Sequence, residues 1–156
     1  MLREQLDEAE IWQRTGCPLR TSYLPALFAW LAQTQPQMLS TVQRWMSVGE
    51  WLFERFFGQS TITSSAASWT GLLNRNSLTW DHDLMAQLPV RKEQFGDVVD
   101  VSEPSIGLRS PWAARWPALG AIPWFGAIGD GAAANIGSGC TTLDRIALSI
   151  GTTGAL

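Results

Sequence analysis

Two glycine-punctuated turns in the last third of the chain carry the residue types best suited to chemistry. One is Ile128-Gly129-Asp130-Gly131, followed by AAANIGSG; the other is Ser149-Ile150-Gly151-Thr152-Thr153-Gly154. The first reads as an apolar strand that delivers a carboxylate to the start of a small-residue helix over residues 132–136. The free N–H groups and dipole of that helix favour negative charge there. A carboxylate so placed can take the proton of an attacking alcohol as a general base. The same pattern also describes a helix-capping aspartate with no chemistry. In the second turn, Gly151 and Gly154 leave room for close backbone approach to a ligand, and Thr152 and Thr153 supply hydroxyl donors. That composition suits a phosphate cradle, and equally a plain hairpin turn. GxxxxGK[ST] is absent from the sequence, which excludes a P-loop of that type.

Composition limits what surrounds these turns. The 156 residues are 46% hydrophobic and 16% charged, with a formal net charge of -3 and nine Trp, enough apolar material for a packed core without disulfides or metals. Lys and Arg are scattered singly, so no phosphate-tracking stripe for nucleic acid is expected. No apolar run is long enough for a membrane span, and the charged start MLREQLDEAE lacks a secretory pattern. Together with two distant cysteines, Cys17 and Cys140, these features predict a cytoplasmic protein with reduced thiols. His82 is the one histidine, which excludes a His-rich zinc site and fits a surface or capping position in TWDHDL.

The elements that must position the turns can be read from periodicity. Residues 1–14 predict a short amphipathic helix, TGCP at 15–18 a turn, and Leu24, Leu27, Phe28 and Leu31 the buried face of a helix from about residue 22 to 32. A longer helix is predicted over residues 37–57, ended by Gly58. Residues 59–68, QSTITSSAAS, read as a loop or a short edge segment, ordered and closing onto the core. Thr79 or Asp81 can cap a helix carrying Leu84, Met85 and Leu88. DVVDV at 97–101 alternates as a strand, and residues 121–129 and 145–151 read as buried strands of a mixed sheet.

The ordered series of motifs resembles the FGGY carbohydrate kinases, most closely the gluconate kinases and their relatives. The resemblance is carried by TGCPLRTSYLPALFAWL, VGEWLFERFFG, SAASWTGLLNRNSLTWDHDLMAQL, the Gly126-to-Gly137 stretch around Asp130, and Gly151-Thr152-Thr153-Gly154. It implies an α/β chain of mixed α+β content, part of a ribonuclease H-like, actin-like ATPase fold, with a helical first part followed by short strands. Residues 1–96 would be the later, mainly helical part of the first domain, 97–120 an irregular connection, and 121–156 the start of the second domain.

By the same resemblance Asp130 would be the catalytic base and a substrate contact. Tyr23 would lie near the polyol, and Gly151, Thr152, Thr153 and Gly154 would bind phosphate. The cofactors implied are ATP and Mg²⁺, and the substrate a sugar or sugar acid, gluconate favoured. The family's Asp-x-Gly-Thr strand turn, the first phosphate loop, is not in the sequence, nor is the adenosine-binding half, and no metal ligand can be assigned. The expectation is therefore a kinase segment that is inactive alone. The alternatives are a non-catalytic sugar-binding or split-enzyme module, prone to self-association or needing a complementing chain, and a hydrolase using Asp130 with water.

Overall fold

The computed structural model describes residues 2–150 and 154–155. The chain opens with two short helices, α1 (Leu2–Gln5) and α2 (Glu8–Thr15), where one was expected over residues 1–14. Asp7 divides them: its carboxylate accepts from the N–H groups of Ala9 and Glu10 and so starts α2 afresh. Gly16, at φ +74°, ends α2 in the left-handed conformation that a turn here requires. Helix α3 (Leu24–Thr34) follows with Pro25 in its first turn; of the face expected to be buried, Phe28 and Leu31 are buried and Leu24 is half-buried, whereas Leu27 is exposed.

The long helix expected over residues 37–57 is two helices, α4 (Pro36–Thr41) and α5 (Val48–Phe57). A distant side chain interrupts it. Gln94 donates from Nε2 to the Val42 carbonyl at 2.7 Å, and its own carbonyl accepts the Trp45 N–H at 2.8 Å. Backbone groups that would have continued the helix are thus satisfied from outside it. Ser47 then restarts the helix through a capping box with Glu50, and Gly58 closes it at φ +74°, as predicted.

Of the two readings of residues 59–68, the short edge segment is the nearer, and the helix that follows it was not expected. These residues form strand β1 (Thr61–Thr63) and helix α6 (Ser64–Ser68), with the Thr63 hydroxyl capping α6. A hairpin of β2 (Leu73–Asn74) and β3 (Thr79–Trp80) leads into α7 (His82–Met85), which Asp81 caps by accepting the Leu84 N–H. Strand β4 (Asp97–Val99) returns to pair in parallel with β1, Thr61 opposite Asp97 and Thr63 opposite Val99. The indole N–H of Trp80, bonded to the Gly96 carbonyl at 2.8 Å, fixes the approach to β4.

The remainder is thinner. Strand β5 (Pro104–Ser105) pairs antiparallel with β6 (Trp124–Phe125) around helix α8 (Trp112–Arg115). Helix α9 (Asp130–Gly137) follows, and β7 (Ser149–Ile150) pairs antiparallel with β8 (Gly154–Ala155). The buried strands expected at 121–129 and 145–151 are thus two-residue ladders, and Phe125, Ile128, Ile146 and Ile150 are exposed. No further sheet among the described residues covers them.

The core lies in the first two thirds, around Phe28, Leu72 and Leu84, with Ile11, Ile62, Leu73, Trp80 and Phe95. A second aromatic group joins α5 to the later part: the Phe56 ring meets Trp112, Trp116 and Trp124 at 5.1, 5.9 and 5.7 Å. No described helix is long and apolar enough to cross a membrane.

Candidate active site

Asp130 is the first residue of α9 and is exposed. The expected alternative, an aspartate at the capping position, is not what the structure shows: Gly129 occupies the cap and makes no side-chain bond there. One carboxylate oxygen of Asp130 accepts the Gly131 N–H at 2.8 Å. No ion pair to a cation involves it among the described residues. The side chain is therefore accessible at the positive end of a helix, with lone pairs left to accept a further hydrogen bond.

The turn bearing Asp130 is held from segment 63–69, sixty residues earlier. Thr63 donates its hydroxyl to the Ala127 carbonyl, and the Gly129 N–H donates to the Ser65 hydroxyl at 3.0 Å. Trp69 lies against both glycines beside Asp130. A Cβ on Gly129 would collide with the indole Nε1 and stand 3.1 Å from Cδ1 and Cε2, while one on Gly131 would stand 3.4 Å from Cζ2. Only glycine allows this approach at position 129. Thr63, Ser65 and Trp69 were not among the site residues expected from sequence. The usable signal was local: Thr63 preceding a small-residue run is an N-cap pattern, and a capped helix there fixes where Ser65 and Trp69 point.

Tyr23 is half-buried at the start of α3. Its ring packs on Gly71, where a Cβ would come within 3.0 Å of Tyr23 Cβ, and its phenol meets the Cys17 thiol. Burial pushes the Tyr23 hydroxyl above its ordinary range, with Cys17 adding to the rise, and burial likewise raises the Cys17 thiol. No bond links Tyr23 to Asp130 among the described residues. Trp69, against the Asp130 turn, and Gly71, against Tyr23, are two residues apart in one segment. Of the expected phosphate-binding residues, Gly154 lies in β8, while Gly151, Thr152 and Thr153 fall outside the described residues.

Two cavities flank the segment that holds the turn. One, of about 260 Å³, is lined by Glu50, Thr61, Thr63, Ser105, Gly126 and Ala127. The other, of about 280 Å³, is lined by Trp45, Ile62, Ala66, Trp69, Trp80 and Phe95. Neither is lined by Asp130 or Tyr23. Glu50 is buried between them, and burial pushes its carboxyl above the ordinary range against the lowering effect of its bonds to Ser47.

Asp81 has a structural role. Burial acts to raise its pKa but is outweighed by hydrogen bonds from Arg14, the Leu84 N–H and Asn74, so the carboxyl sits below the ordinary range. No group of three or more His, Cys, Asp or Glu among the described residues could hold a metal.

Residues 1–137 match the N-terminal domain of the FGGY family of carbohydrate kinases. The chain belongs to that family. A gluconokinase of Bacillus subtilis (strain 168) is 24% identical over 155 residues, covering 99% of this chain and 30% of its own. The gluconate kinase structure from Lactobacillus acidophilus superposes with a TM-score of 0.88 at 24% identity, covering 98% of this chain and 31% of that one. A xylulose kinase structure from the same organism gives 0.89 at 24% identity, with coverage of 98% and 31%. The mixed helix and strand architecture is that of the actin-like ATPase fold, and the chain spans about a third of the length of these relatives.

Proposed function

We propose that this chain supplies part of the acceptor half of an ATP-dependent carbohydrate kinase, with Asp130 as general base. The observation that carries the reading is the Asp130 turn: an exposed carboxylate, paired with no cation, at the head of a helix and pinned by Thr63, Ser65 and Trp69. A sugar hydroxyl bonded to Asp130 would give up its proton as its oxygen attacks the γ-phosphorus of ATP, and ADP would depart with the bridging oxygen. The hydroxyl becomes a phosphate ester and the carboxylate holds the proton. Gluconate is the favoured substrate, supported by the names of the gluconokinase and gluconate kinase relatives.

Tyr23 is proposed as a substrate contact through the segment it shares with Trp69, and Gly151, Thr152, Thr153 and Gly154 as a phosphate-binding turn. Residues 1–96 and 97–120 are proposed as the helical part of the first domain and an irregular connection. Residues 121–156 are proposed as the start of the second domain. The two free thiols support a reducing, cytoplasmic setting. The chain alone is proposed to be catalytically silent, because the Asp-x-Gly-Thr turn of the first phosphate loop is not in its sequence.

Two measurements test the reading. Calorimetric titration of the chain with gluconate, xylulose and glycerol is expected to show gluconate binding most tightly; binding of none overturns the substrate class. Incubation with ATP, Mg²⁺ and the same compounds is expected to yield no phosphate ester. Product that disappears in Asp130→Asn would overturn the silence of the chain while supporting the base.

A second reading, a non-catalytic module completed by another chain, is favoured by exposed Ile136, Leu143, Ile146, Leu148 and Ile150. Such surface favours association. Sedimentation is expected to show concentration-dependent self-association, and a monodisperse monomer would count against that module.

A further inference from the structure

Trp69 is 57% exposed, although it lies beside a core that buries Ala67 and Leu72 completely. Its placement is fixed rather than incidental. Thr63 caps α6, the Trp69 N–H caps its far end by bonding to the Ala66 carbonyl at 3.3 Å, and the indole then spans Gly129 and Gly131 on either side of Asp130. No hydrogen bond is made by its Nε1 among the described residues, and its ring has no aromatic partner there. An exposed, fixed indole next to an exposed, unpaired carboxylate presents two complementary groups: an apolar face for C–H bonds and an acceptor for a hydroxyl. Carbohydrates carry both on adjacent atoms, and aromatic faces bind them by that combination.

We infer that Trp69 is the wall on which the substrate's C–H face rests, so that the neighbouring hydroxyl meets Asp130, and that the same indole positions the Asp130 turn. The inference rests on the carbohydrate-kinase reading and adds a residue to it. Glycine at 129 follows from this arrangement: any side chain there would drive the indole away from the turn.

The test is calorimetric titration of the full chain and its variants with gluconate, xylulose and glycerol, each variant checked for unchanged circular dichroism. Trp69→Leu keeps an apolar side chain but no aromatic face and is expected to weaken binding of the tightest of these compounds by about threefold to tenfold. Trp69→Phe restores a ring and is expected to recover most of that loss, which a merely structural role would not require. Trp12→Ala removes an indole of similar exposure, 59%, outside the site and is expected to change nothing. Binding by Trp69→Leu equal to that of the unaltered chain overturns the inference and leaves the kinase reading intact. Failure of Trp69→Phe to recover binding overturns the stacking role. Absence of binding by the unaltered chain overturns the kinase reading itself, and this inference with it.

Discussion

Among the described residues, 2–99 supply every buried apolar side chain except Leu108, although Trp12, Trp30, Val48 and Trp69 stay exposed, whereas residues 100–150 bury Ser105 and Leu108 alone. The first region holds Phe28, Leu72 and Leu84 without contact to solvent and anchors Asp81 through Arg14, Asn74 and the Leu84 N–H. The second exposes Ile106, Ile122, Phe125, Ile128 and Ile136, yet it carries Asp130. The contrast shows how the candidate base is fixed. Its own region contributes a short helix, and rigidity is borrowed from Thr63, Ser65 and Trp69 of the well-packed one. A site on a thin layer keeps its geometry only while the thick layer beneath holds.

If that division is right, the largest losses of stability come from the first region. Phe28→Ala removes a fully buried ring that meets Trp45 at 4.9 Å and Phe95 at 6.1 Å, and is expected to cost about 3–5 kcal/mol in urea unfolding. A loss below about 1 kcal/mol would mean that the core is not the organising element. Next comes Asp81→Ala, which takes from the Arg14 guanidinium its buried partner, leaving Glu10, and removes the α7 cap. It is expected to cost about 2–4 kcal/mol, at or below the usual figure for a broken buried pair because Arg14 still reaches water.

The pair also sets a pH dependence. Asp81 has a folded-state pKa below its unfolded one, so its contribution is complete above the ordinary carboxylate range and fades as pH falls through the lowered value. Unfolding followed across acid pH should show this loss in the native chain and its absence in Asp81→Asn.

What the sequence reveals follows the same division between local and distant causes. Gly16, Gly58 and Asp81 act within a few residues of themselves, and their roles as helix stops and cap can be read directly. The face of α3 is legible in part for the same reason, since Phe28 and Leu31 of the expected stripe are buried while Leu27 is exposed. The break at residues 42–47 is not, because it is made by Gln94, fifty-two residues away. The strand β1 is legible only as one of two options: Thr-Ile-Thr reads as loop or short edge segment until its pairing with Asp97–Val99 decides. At the site, Asp130 is visible through its glycine-flanked turn, while the residues that aim it become visible only when segments 63–69 and 126–131 are seen to touch.

Within the second region the comparison can be sharpened at Gly129. Gly129→Ala forces a Cβ into the Trp69 indole, an overpacking expected to cost about 1–3 kcal/mol locally. Because that region adds little to the core, the expected signature is confined. Amide exchange should quicken over residues 127–137 while the amides of Phe28, Leu72 and Leu84 keep their protection. Equal quickening in both regions would show that they unfold as one unit and erase the distinction.

The smallest effect lies at Glu50, on the seam between the regions. Its carboxylate caps α5 by accepting the Ser47 N–H at 2.7 Å, and it lines the cavity that also touches Gly126 and Ala127. Burial raises its folded-state pKa above the unfolded one, so the folded chain holds this proton more tightly and loses stability as pH rises through that interval. Glu50→Gln keeps an acceptor for the cap but carries no charge. It is expected to raise the melting temperature slightly, by the equivalent of less than about 1 kcal/mol, at about pH 8 and not at about pH 3, where the native side chain is already neutral. An equal change at both pH values would assign the effect to packing. A loss at alkaline pH would show that the ionised carboxylate is itself needed to hold α5 against the Asp130-bearing layer.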